Sequence, residues 1–187
     1  MRRRIFIAIN LPPEVKKGLA EYSQKWPELP ARWTKPDNIH ITLIFLGYLP
    51  EEELPSVCEI TERIAKEHDS FLIDLNQISY GPPKKMPPRM IWVNGQLSPE
   101  LAKLKENLED ALSEDVHFHH ENRAFSPHIT LARIKGWEWS KIDPEQRPEI
   151  EQNINFKFEV ESIEIMESEL KRGGAVYTIL ESIPLKS

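Results

Sequence analysis

The sequence predicts an α+β protein: two pseudo-symmetric lobes whose antiparallel β-sheets face a central cleft, with helices on the outside. Three observations carry that expectation. The tetrapeptide His-Ile-Thr-Leu occurs twice, at 40–43 and again at 128–131. The order of strand-like and helix-like segments is similar in the two halves of the chain. Segments with apolar residues at period two are interleaved with segments at helical period, and none reads as low-complexity linker.

The elements come in order along the chain. Residues 4–11 alternate and are rich in isoleucine, as a strand is. Pro12 and Pro13 lead into a helix over 14–26, where Val15, Leu19, Tyr22 and Trp26 recur at helical spacing. Lys35 to Asn38 make a turn before the first motif strand over 40–46, which Gly47 ends. Residues 51–68 form a second amphipathic helix, with acidic residues at the end where the helix dipole favours them. Strands are expected next over 71–80 and 90–93, separated by a loop over 81–88 too rich in proline for a regular element. Ser98 and Pro99 start a third helix that buries Leu101, Leu104, Leu108 and Leu112. The second motif strand spans 128–134, and 137–150 is a proline-punctuated loop or short helix. Strands over 156–166 and 175–183, joined by a turn at 171–174, complete the chain.

Composition sets the outer limits. A chain of 187 residues, 40% hydrophobic and 29% charged, suits one domain spanning 1–187 with a real core. No apolar run suits a bilayer span, and the basic start Arg2-Arg3-Arg4 precedes too short an apolar stretch for a signal peptide. The expected location is cytoplasmic, with no membrane partner and a monomeric state. Cys58 is the only cysteine, so neither an internal disulfide nor a thiolate-rich metal site is expected. A net charge of −6 tells against coating long nucleic acid tracts, but leaves room for gripping one phosphate at an RNA end.

The chemistry sits in the repeated tetrapeptide. Side chains alternate across a strand, so His40 and Thr42 share one face while Ile41 and Leu43 take the other. His128 and Thr130 repeat the arrangement. Face to face, the two strands place two imidazoles and two hydroxyls around one polar pocket. Opening a cyclic phosphodiester with water needs a base for the water and an acid for the leaving oxygen. Histidine titrates near ~6.5, so a neutral and a protonated copy coexist near neutrality. The threonines supply donors to the phosphate oxygens. No metal or other cofactor is expected. A lone His-x-Thr on a strand is more often a structural hydrogen-bonding pair; the repeat in matching contexts is what favours chemistry.

Residues 32–47, from Arg32-Trp33-Thr34-Lys35-Pro36-Asp37-Asn38 through His40 to Phe45-Leu46-Gly47, resemble the first motif of the bacterial and archaeal RNA 2′,3′-cyclic phosphodiesterases. These are 2′-5′ RNA ligase-like members of the two-histidine phosphoesterase superfamily. Phe125-Ser126-Pro127-His128-Ile129-Thr130-Leu131-Ala132-Arg133 resembles their second motif, and the likeness extends to both ends of the chain. The resemblance implies one two-lobed phosphoesterase domain that hydrolyses a terminal 2′,3′-cyclic phosphate of RNA to a 2′-phosphate. It implies His40 as proton donor to the departing 3′ oxygen and His128 as proton acceptor from water, with Thr42 and Thr130 on phosphate oxygens. The residues alone treat the two histidines as equivalent. The implied partners are RNA 3′ ends bearing the cyclic phosphate, with tRNA fragments among the candidates, and some relatives also run the reverse 2′,5′ ligation.

Further candidates stand beside bland readings. Arg133 either reaches the substrate or is a surface charge, since simple alternation gives it the parity of Leu131. Tyr177 stacks on a nucleoside or fills a core, and Lys84, Lys85 and Arg89 draw in a backbone or merely solvate a loop. His117, His119 and His120 suggest a polar strand or loop rather than a metal site, and Trp137 and Trp139 a core cover rather than a base platform. Two other functions compete: hydrolysis of small cyclic nucleotides, and a non-catalytic RNA- or nucleotide-binding module of the same fold.

Overall fold

The computed structural model describes residues 1–120 and 124–186. In chain order its elements are β1 (Arg2–Asn10), α1 (Pro13–Glu21), β2 (Ala31–Trp33), β3 (His40–Pro50), α2 (Leu54–Ala65), β4 (Phe71–Gly81) and β5 (Met90–Gly95). Then come α3 (Pro99–Asp115), β6 (His128–Ile134), the single helical turn α4 (Gly136–Trp139), β7 (Glu151–Val160), β8 (Ser162–Lys171) and β9 (Gly174–Pro184). The strands form two sheets, ordered β3-β1-β8-β9 and β2-β6-β5-β4-β7, with every named pair antiparallel. No described helix is long and apolar enough to cross a membrane.

The α+β reading with two similar lobes holds, but a lobe is not a half of the chain. The first sheet takes β1 and β3 from one end of the sequence and β8 and β9 from the other. Stripped of the short β2, the second sheet has the matching order β6-β5-β4-β7. Each motif strand is therefore flanked inward by its partner, β1 or β5, and then by β8 or β4. The symmetry is real and the chain is exchanged between the lobes.

Burial explains the layering. On β1, Ile5, Ile7 and Ile9 are wholly buried on the face away from the cleft. They share a core with Leu104 and Leu108 of α3, Val57 and Ile60 of α2, and the motif residues Ile41, Leu43, Ile129 and Leu131. Alternation leaves the even residues Phe6, Ala8 and Asn10 for the cleft. Arg3 reinforces the β1–β8 edge with a forked pair to Glu167, Nε to Oε1 at 2.8 Å and Nη2 to Oε2 at 2.5 Å. That guanidinium holds the Glu167 carboxyl below its ordinary range.

Several boundaries depart from simple periodicity. Gly47 does not end β3; its φ of +77° lets the strand run through an irregularity opposite Ile5 and continue to Pro50. The helix after Pro13 stops at Glu21 and tightens into a 3-10 turn over Tyr22–Gln24, and a similar turn at Glu51–Glu53 precedes α2. What reads as one strand over 156–166 is two, β7 and β8, breaking at Glu161 and belonging to different sheets. The three-residue β2 is too short for any periodic signal.

Because Ile7 fills the centre of this core, Ile7→Ala is expected to cost about 2–5 kcal/mol. Urea denaturation monitored by far-UV circular dichroism should show a lower midpoint at an unchanged slope.

Candidate active site

Strand register places the site. His40 lies opposite Asn10 of β1, and His128 lies opposite Asn94 of β5. One row further in, Thr42 faces Ala8 and Thr130 faces Trp92. Both motif strands then carry one extra residue. Pairing jumps from Ala8↔Thr42 to Ile7↔Ile44 in one lobe, and from Trp92↔Thr130 to Ile91↔Ala132 in the other. Leu43 and Leu131 are the residues passed over, both buried at 4% and 1% exposure. Such a bulge shifts the parity of every residue beyond it on the strand. Phe45 consequently faces Phe6, and Arg133 faces Met90, on the same side as the threonines.

Arg133 thus turns from the parity of Leu131 to the cleft side. Its Nη1 rests 3.7 Å from Met90 Sδ, and the register sets Arg32 of β2 beside it. Met90 Sδ also receives the Thr130 hydroxyl at 3.9 Å. The equivalent position in the other lobe is Phe45, half exposed and 6.2 Å from the Phe6 ring centroid. One wall of the cleft is aromatic and the other carries guanidinium groups.

Both histidines are tied the same way. His40 Nδ1 donates to the Asn38 carbonyl and His128 Nδ1 to the Ser126 carbonyl, each at 2.8 Å. A carbonyl only accepts, so Nδ1 carries the hydrogen and Nε2 is the reactive nitrogen in both neutral rings. The Thr42 hydroxyl donates to His40 Nε2 at 3.0 Å. β3 and β6 approach within 8 Å, Cα to Cα, and His128 is near enough to His40 for its charge to act on that ring.

Their surroundings differ. His40 sits between Phe6 and Tyr177, with ring centroids 5.0 Å away in each case and Tyr177 edge-on. Burial in this aromatic pocket pushes its pKa down to about 4; the Asn38 carbonyl opposes that shift, while Lys16 and His128 add to it. His128 lies flat on Trp92 at 3.9 Å, planes 25° apart. Trp92 in turn lies against Gly81, where a Cβ would stand 2.3 Å from the indole. The β8–β9 turn folds over the His40 side, held by Asn38 Nδ2 to the Ala175 carbonyl at 2.8 Å and by Arg32 to the Gly173 carbonyl.

All five residues singled out from the sequence (His40, Thr42, His128, Thr130 and Arg133) are on cleft-facing positions of β3 and β6. Tyr177 packs against His40 and Phe6 as part of the pocket wall. Trp139 is core, stacked edge-on with Tyr80 at 5.5 Å, whereas Trp137 is exposed beneath Lys141. His120 faces Glu109 at 3.3 Å on α3, away from both motifs. Among the described residues no three His, Cys, Asp or Glu side chains converge as a metal site. Sequence reading passed over Asn10, Asn94, Phe6 and Trp92. A signal existed: Ile7-Ala8-Ile9-Asn10 and Ile91-Trp92-Val93-Asn94 are the same Ile-x-(Ile/Val)-Asn pattern.

Known proteins match this arrangement. The family model described as LigT like Phosphoesterase matches twice, over residues 9–92 and 93–177. An RNA 2′,3′-cyclic phosphodiesterase of Thermus thermophilus is 33% identical over 98% of this chain and 90% of its own length. One from Thermotoga maritima is 31% identical over 95% of this chain and 92% of its own. A Thermus thermophilus crystal structure superposes with a TM-score of 0.85 at 32% identity, covering 100% of this chain and 98% of its own. Escherichia coli LigT complexed with 3′-AMP gives 0.78 at 26% identity, covering both chains fully.

The His40 environment has a measurable signature. In the free protein its Cε1 proton, observed by NMR, should titrate near pH 4 rather than in the ordinary histidine range. The unfolded chain then binds this proton first, so the contribution of His40 to stability is complete above about pH 6.5 and is lost as pH falls toward 4. An ordinary midpoint would mean that the aromatic pocket does not close over the ring.

Proposed function

The chain belongs to the LigT-like phosphoesterase family, and from that membership we propose that it opens terminal 2′,3′-cyclic phosphates of RNA to 2′-phosphates, using two histidines and no metal. The observation that carries the reading is the pair of imidazoles on β3 and β6, each with Nδ1 fixed to a carbonyl and Nε2 left to move protons. The nearly full-length likeness to proteins named RNA 2′,3′-cyclic phosphodiesterases supports the substrate. Residues 1–187 act as a single unit, since the first sheet needs strands from both ends of the chain.

Neutral His128 takes a proton from water at Nε2 as the water oxygen bonds to phosphorus. The bond from phosphorus to the 3′ oxygen breaks on the opposite side, and that oxygen takes the Nε2 proton of His40. The product carries a 2′-phosphate and a free 3′-hydroxyl, and the proton left on His128 returns through solvent. Thr42, Thr130 and Arg133 hold the non-bridging oxygens as their charge grows. A 5′-hydroxyl standing where the water stands gives a 2′,5′ linkage by the same steps.

Burial keeps His40 neutral in the free protein, so the acid form has to be created by the substrate. An anionic phosphodiester beside the ring favours its protonation, and the proton arrives with the RNA. The same observation favours a second reading in which His40 is the base and His128 the acid. The His40 titration in a complex with a 2′-nucleotide separates them. A midpoint raised well above 4 fits the acid role, and one left near 4 fits the reverse.

On an oligoribonucleotide ending in a 2′,3′-cyclic phosphate, His40→Ala and His128→Ala should each lose about 10²–10⁴-fold in turnover. Either variant running near the wild-type rate, with its fold intact by circular dichroism, would remove that histidine from the proposal.

A further inference from the structure

The aromatic and guanidinium walls account for the reacting phosphate and leave Lys16 of α1 without a role. Lys16 stands in the second turn of α1, half-buried, with its ammonium 3.5 Å from the Asp37 carbonyl. Among the described residues it makes no ion pair with a carboxylate. Partial burial lowers its pKa. It lines a groove of about 490 Å³ between α1 and the 3-10 turn Pro36–Asn38, together with Asn10, Lys17, Glu21, Gln24 and Asp37. Asn10 is the residue in register with His40, and the turn runs directly into β3, so the groove opens beside the reacting histidine.

The matching position of the other lobe holds no cation. Asn94 is the counterpart of Asn10, and with the two helices aligned on their opening prolines, Pro13 and Pro99, the position of Lys16 in α1 is taken by Ala102 in α3. The Asp37 carboxylate favours the ammonium form of Lys16, and to a lesser degree so does Glu164, buried on β8 in register with Ala8. The Glu164 Oε1 accepts from Ser162 at 2.7 Å, while its buried Oε2 has no hydrogen-bond partner among the described residues.

We propose that Lys16 and the α1 groove form a subsite for the phosphodiester on the 5′ side of the terminal ribose, making the enzyme selective for an RNA chain over a mononucleoside cyclic phosphate. This rests on the proposed cyclic phosphodiesterase function. A chain leaving the reacting ring past His40 has its next phosphate in the groove, where the half-buried ammonium, in no ion pair among the described residues, receives it. A mononucleoside lacks that phosphate and leaves the ammonium as it stands.

The test compares kcat/KM for a dinucleotide ending in a 2′,3′-cyclic phosphate with that for the matching mononucleoside cyclic phosphate. Wild type should prefer the dinucleotide. Lys16→Gln should lower the ratio of the two about tenfold, and Lys16→Arg should restore most of it. The ratio is the proper readout because any effect of Lys16 on the His40 proton acts on both substrates and cancels. Added salt should shrink the wild-type preference and leave the glutamine variant nearly flat. An unchanged ratio in Lys16→Gln overturns the subsite. A parallel calorimetric titration with the dinucleotide and mononucleotide 2′-phosphates needs no turnover. Should wild type open neither ring, the cyclic phosphodiesterase reading fails by itself. The binding ratio then judges the subsite: equal affinities, or a ratio indifferent to Lys16, overturn it.

Discussion

Every feature of the site depends on the register of two antiparallel strand pairs, β1 with β3 and β5 with β6. Each pair sets an asparagine against a histidine, then carries one surplus leucine just past the threonine. The first fact holds the histidines at the strand starts, where the carbonyl two residues earlier can hold Nδ1. The second brings Phe45 and Arg133 back to the cleft. Slipping either pair by one residue would bury the imidazole and expose the isoleucine, so the greasy face of β3 and β6 and the geometry of the site are the same constraint seen from two sides.

The duplicated frame is filled unequally, and the inequality is where function enters. One histidine is enclosed by Phe6 and Tyr177 and is held neutral by that enclosure; the other lies on Trp92. Beyond the threonines, an aromatic ring stands in one lobe where a guanidinium stands in the other. A symmetric site would treat the two bridging oxygens of a cyclic phosphate alike. In the proposed reaction, the unequal walls are what would select one orientation of the substrate and so the oxygen that leaves. The exchange of β8 and β9 into the first lobe contributes Tyr177, so the histidine nearest the start of the chain is shaped by residues near its end.

The motif strands, the long helices and the paired histidines were legible in the sequence because each is a local pattern repeated in a matching context. His40, Thr42, His128 and Thr130 could be read straight from alternation. Arg133 could not, because a bulge is invisible to period-two counting and only pairing with β5 reveals that Leu131 and Ala132 share one partner position. The exchange of strands between lobes was hidden for a related reason. Residues 156–166 look like one continuous run, yet Glu161 marks a crossing from one sheet to the other. Asn10 and Asn94 carried a repeated signal, but their meaning depends on which strand lies beside the motif strand.

The central claim is that two imidazoles suffice to open the ring in one direction. It is tested most directly by phosphorus NMR of the product formed from an oligoribonucleotide 2′,3′-cyclic phosphate in excess EDTA. The account predicts full turnover to the 2′-phosphate alone. Appearance of 3′-phosphate, or activity that returns only when a divalent metal is restored, would contradict it.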